Sequence, residues 1–112
     1  MNQKILNVDK TLDKIQQLIA SYRSGEWHST ERLRELLREL SICHYGLTSV
    51  NIEAYNDWTA IIYNRDKGVS VASAKVKADF EVPELRMTRK LLESVKNVLM
   101  SMQQELSIIK ND

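Results

Sequence analysis

From Leu85 onward an apolar or small residue returns at steps of three and four without interruption: Leu85, Thr88, Leu92, Val95, Leu99, Met102, Leu106 and Ile109. Alternating steps of three and four place all eight side chains on one stripe of an α-helix. A strand cannot use this rhythm, because its side chains change face at every residue. Leu91 and Val98 widen the stripe. A seam of that length needs an equally long apolar surface to cover it. The chain is therefore restricted to helix-on-helix packing: a hairpin, a bundle or a coiled coil.

The rest of the sequence supplies the covering helices. Ile5, Val8, Leu12, Ile15, Ile19 and Tyr22 follow the same steps, with Lys, Asp, Gln and Asn between them. Gly25 is the expected stop, since glycine accepts the left-handed conformation that ends a helix. Ser29 or Thr30 can cap the next helix, and Glu31 suits its positive end. Leu33, Leu36, Leu37, Leu40, Cys43 and Leu47 form its stripe, and Val50, Ala54, Trp58 and Ile61 continue the register. Gly46 interrupts at a cost of roughly 1 kcal/mol relative to alanine. One long helix over about residues 30–64 is expected; the alternative is a break between His44 and Thr48. Asn64 to Gly68 reads as a turn.

Ser70 can cap a short helix over 71–79, whose small residues (Ala72, Ser73, Ala74, Ala78) would let its backbone sit close to a neighbour. Pro83, the only proline, is tolerated in a first helical turn but not in a helix interior. Phe80-Glu81-Val82 is thus an expected break before the last helix. The expected fold is all-α. It is an antiparallel hairpin or bundle, with helices over about 3–23, 30–64, 71–79 and 83–110 in a single domain spanning 1–112. Three long stripes in so short a chain leave little interior for a closed core. Leu85, Leu92, Val95, Leu99, Met102, Leu106 and Ile109 are accordingly expected to form a core and oligomer seam, with a homo-oligomer as the economical arrangement.

Charge and cysteine usage bound the function. Sixteen basic residues face fifteen acidic ones, so any attraction to nucleic acid must come from a local patch. Cys43 is the only cysteine, which excludes an intrachain disulfide and suits a reducing compartment. No apolar run has signal-peptide length, and none approaches the ~20 residues that span a bilayer. A cytoplasmic protein without membrane contact is the expectation.

The sequence offers little for catalysis. His28, Cys43 and His44 are the only soft metal ligands, and no CxxC, HxxxH or HExxH spacing exists. Cys43 fits a small core position. Neither GxGxxG nor GxxxxGK[ST] is present. Glu31, Glu35 and Glu39 alternate with Arg34 and Arg38 in the manner of a solvated, ion-paired helix face. No enzymatic activity, metal or cofactor is expected.

One region is locally basic. Between Arg65 and Lys96 eight basic residues meet five acidic ones, a surplus of three. Arg65, Lys67, Lys75, Lys77, Arg86, Arg89 and Lys90 are the candidates for phosphate contacts. Tyr55, Trp58 and Tyr63 on the preceding helix could stack bases, although Trp58 also lies on the apolar register and fits the core.

The runs "IIYNRDKG" and "SVASAKVKADFEV", followed by the helix from Leu85 to Ile109, resemble the layout of the UvsY-type recombination mediators. Those small helical phage proteins have a long helix ending in a Tyr-containing, Gly-terminated turn. A Ser/Ala/Lys-rich short helix, an Ala-Asp with a hydrophobic junction, and a heptad-like terminal helix follow. The resemblance implies a phage or mobile-element protein, a ring-like homo-oligomer that binds single-stranded DNA and assists loading of a recombinase. The mediators carry a Lys-Ala-Arg segment before the tyrosines, where this chain reads Asp57-Trp58-Thr59. The basic residues nearest that end here are Arg65, Lys67, Lys75 and Lys77. The alternative expectation is a helical protein-interaction module (a regulator, inhibitor or assembly factor) that binds an unidentified protein and no nucleic acid.

Overall fold

The computed structural model describes residues 3–25 and 27–111, with side chains described for 9–25 and 27–109. Four helices follow in order: α1 (Gln3–Arg23), α2 (Thr30–Tyr63), α3 (Val71–Glu81) and α4 (Pro83–Asn111). The fold is all-α, and among the described residues no helix is long and apolar enough to cross a membrane.

The helix ends follow local chemistry. Gly25 and Gly68 take positive φ, 70° and 99°, behind α1 and α2. The Ser29 and Ser70 side chains each accept a hydrogen bond from the amide three residues on, Arg32 N and Ser73 N, both at 3.1 Å. These satisfy orphan donors of the first turns of α2 and α3. Trp27 steadies the α1–α2 turn by donating its indole N–H to the Tyr22 carbonyl at 3.1 Å.

α2 runs through Gly46 without a break. One boundary departs from the sequence expectation. α3 continues to Glu81, so Phe80 and Glu81 are helical and only Val82 leaves the helix, with φ −126° and ψ 67°. The reason is steric. A proline disfavours the α region only at the residue before it, and Pro83 itself opens α4. Val82 remains tied to α3 through its N–H to the Ala78 carbonyl at 2.8 Å.

The core lies along α2. Leu33, Leu36, Leu40 and Leu47 of α2 pack with Ile15 and Leu18 of α1 and with Val95, Val98 and Met102 of α4. A second cluster at the other end joins Ala54 of α2, Val82 and Leu85, with Trp58 and Ile61 against it. The α4 seam thus faces inward. Leu85, Val95 and Met102 are buried, Leu92, Leu99 and Leu106 are half-buried, and Ile109 is exposed. Most of the surface that the seam required is supplied by the chain's own α2 and α1. Leu18, absent from the expected α1 stripe, is buried because α1 is clamped by two helices and needs a face wider than one row. Ile5 and Val8 lie outside the described side chains.

Two polar contacts fix the helix registers. The fully buried Thr88 hydroxyl donates to the Glu84 carbonyl at 2.7 Å and accepts from Asn51 Nδ2 at 2.9 Å. At the other end the Tyr22 hydroxyl lies 2.8 Å from Glu105 Oε1, to which it donates, and 2.9 Å from Ser101 Oγ. Burial raises the Tyr22 phenol above its ordinary pKa; the Ser101 hydroxyl opposes this shift and the Glu105 carboxylate reinforces it. Thr88→Val is expected to cost about 1–2 kcal/mol, because it strips the Asn51 amide of its near partner. Asn51→Leu/Thr88→Val should lose less than the sum of the single changes. Urea denaturation of the four species measures this, and an unchanged midpoint for Thr88→Val would refute the role.

The molecule is elongated, 64 × 29 × 18 Å, with a radius of gyration of 18.1 Å; a compact chain of this length would have about 13 Å.

Candidate nucleic-acid interface

Arg86, Arg89 and Lys90 stand three and four residues apart, so they share one face of the first turns of α4. Val82 turns the chain there, and the turn aims this face across the C-terminal half of α2. Tyr55 and Trp58, also three apart, look out of α2 at the same place. Between them runs an open groove of about 720 Å³, with Val82, Pro83 and Leu85 in its apolar floor.

The two aromatic rings are stacked, 24° between planes and 6.2 Å between centroids. Tyr55 is exposed. Trp58 is half-buried, backed by the Ala54–Val82–Leu85 cluster. A half-buried indole needs an acceptor for its N–H, and Asp79 at the end of α3 provides it: Trp58 Nε1 donates to Oδ1 at 2.8 Å. The other carboxylate oxygen, Oδ2, lies 3.7 Å from Arg86 Nη2. Asp79 therefore ties one wall of the groove to the other and sets both side chains in place. Arg89 and Lys90 are exposed. Three cations and one carboxylate leave the groove net positive.

The other four predicted cations lie elsewhere. Arg65 donates from Nε to the Val69 carbonyl at 3.1 Å and from Nη1 to the Ile62 carbonyl at 3.0 Å, so it clasps the α2–α3 turn. Arg65 and Lys77 border a separate, smaller groove of about 370 Å³, where Asp66 and Glu81 offset their charge. Lys77 is also 4.0 Å from Glu81. Lys67 and Lys75 are exposed and line neither groove. The structure thus assembles three of the seven around the aromatic pair. Asp79 was missed by the sequence reading. The only signal for it was the polar atom of Trp58, which demands a partner without saying which residue is near.

Among the described residues no three His, Cys, Asp or Glu side chains converge on a point that could hold a metal ion. Cys43 is half-buried, and burial raises its thiol pKa, the opposite of what a reactive cysteine needs.

No protein-family model matches the chain, and neither a curated protein nor a solved structure matches it.

Proposed function

We propose that the protein binds single-stranded nucleic acid in the groove between α2 and the start of α4. The observation that carries this reading is the exposed Tyr55 ring, stacked on Trp58 and flanked by Arg86, Arg89 and Lys90. A single strand offers unstacked bases and a phosphate for each one. An aromatic platform beside a row of cations suits both, and it tolerates any sequence because every base has a π-face. A duplex hides those faces, so it should bind more weakly. By the resemblance of the chain to the UvsY-type mediators, the strand is single-stranded DNA. The biological role would then be that of a phage accessory factor helping to load a recombinase.

Tyr55 supplies the test. It is exposed, and its removal leaves the core intact. Tyr55→Ala is expected to weaken binding of a labelled oligonucleotide by about tenfold or more, the usual loss for one stacked base. Tyr55→Phe, which keeps the ring, should bind as the parent does. Anisotropy at low salt reads both. Equal affinity for the parent and Tyr55→Ala would sink the stacking role.

The protein-interaction reading is favoured by a different observation. Val76 and Phe80 on α3 are exposed and lie four residues apart on one face, Phe80 to 86%. Under that reading Val76→Ser/Phe80→Ser would abolish function in vivo while leaving oligonucleotide affinity unchanged.

A further inference from the structure

The face of α2 that points away from the other three helices carries a second row at steps of three and four: Arg38, Ile42, Tyr45, Ser49, Ile52, Asn56, Thr59 and Tyr63. All eight are exposed, including Ile42 at 65%, Tyr45 at 76% and Tyr63 at 84%. Gly46 borders the row, and a Cβ there would meet nothing within 4 Å. Packing inside the chain therefore gives no reason for a helix-weakening glycine at this place.

From this self-matching row we infer that two copies of the chain associate through α2, antiparallel and across a two-fold axis between Ser49 and Ile52. The inference goes beyond nucleic-acid binding and does not depend on it. Read in opposite directions, the row complements itself. Ser49 meets Ile52 of the second copy, Tyr45 meets Asn56, and Ile42 meets Thr59. Each layer then sets one large apolar side chain against a smaller or polar one, and the Tyr45 hydroxyl gains an amide to bond. At each end Arg38 lies over the ring of Tyr63, a cation–π arrangement. A parallel pairing would set Arg38 on Arg38 and Tyr45 on Tyr45, with like charges and large rings in the same layer.

The exposed area is sufficient. The chain exposes 7966 Å², whereas a compact monomer of 13.0 kDa would expose about 6,300 Å². The surplus exceeds the roughly 800 Å² that each partner contributes to a stable interface. The row spans twenty-six residues, or about 38 Å of helix from first to last, long enough to supply it. α1, α3 and α4 pack on other faces of α2, so nothing in the chain must move.

Sedimentation equilibrium of the full chain between ~1 and ~500 µM should show a dimer. Tyr45→Arg/Ile52→Arg should raise the dissociation constant by on the order of a hundredfold or more, because each copy would bury unpaired charge. Both sites are solvent-exposed in the single chain, so its helical ellipticity should persist. Orientation is read separately in a Cys43→Ala background. Ile42→Cys mixed with Thr59→Cys should form a disulfide between the two chains, whereas Ile42→Cys alone should not cross-link to itself. A monomer throughout the concentration range would overturn the inference. So would an unaltered dimer in the arginine variant, or efficient self-cross-linking of Ile42→Cys.

Discussion

Truncating Leu40 to alanine is expected to lower the thermal midpoint by on the order of 20 °C. Leu40 has no solvent exposure and sits in the cluster where α1, α2 and α4 meet. Removing a buried leucine side chain loses its transfer free energy and leaves a cavity, together about 2–5 kcal/mol. The upper range applies, because three helices meet there and none can collapse without displacing the other two. In a chain of this size each kcal/mol shifts the midpoint by about 4–5 °C. Domains have only about 5–15 kcal/mol in all, so this one change would remove a large share. Val76→Ala, on the exposed face of α3, should move the midpoint by no more than ~2 °C, since surface changes stay within about 0.5 kcal/mol. Calorimetry of the pair tests where the core lies. Equal midpoints for the two variants would mean that the packing along α2 is misassigned.

Arg89→Glu/Lys90→Glu is expected to weaken single-stranded DNA binding by on the order of a hundredfold at low salt. Two phosphate contacts are lost, and two like charges are placed in their stead. Arg86 is left alone because its link to Asp79 supports the indole of Trp58. Both changed residues are exposed, so ellipticity and melting should be unaltered. Lys75→Glu/Lys77→Glu is the matched control. It carries the same change in net charge, away from the aromatic groove, and should weaken binding only a few-fold through the long-range field. Equal losses for the two double variants would mean that overall charge, and not the groove, attracts the strand. Losses confined to the Lys75 and Lys77 variant would move the binding surface to α3.

The local features were the legible ones. Helical rhythm, the hydroxyls of Ser29 and Ser70, Gly25, Gly68 and Pro83 all act within a few residues. They gave the four helices and most of their ends. Phe80 and Glu81 were read as part of a break, yet they stay in α3 because proline restricts only Val82. Tertiary features were harder to read. The seam of α4 could be recognised as a surface in need of cover, but not that the chain's own α2 and α1 would supply most of it. Arg65 looked like a free cation, and its capture by two turn carbonyls depends on how the α2–α3 turn closes. The grouping of Arg86, Arg89 and Lys90 on one face follows from their spacing. Their position opposite Tyr55 and Trp58 depends on the angle at Val82, which no pattern in the sequence encodes.

The measurement that tests the central claim most directly is the salt dependence of binding of the full chain to a labelled single-stranded oligonucleotide. Three groove cations on three phosphates predict that the logarithm of affinity falls with the logarithm of salt at a slope of about −2. A duplex of the same sequence should bind more weakly, because its bases cannot reach Tyr55. No binding at low salt, or binding that is indifferent to salt and to strandedness, would contradict the claim.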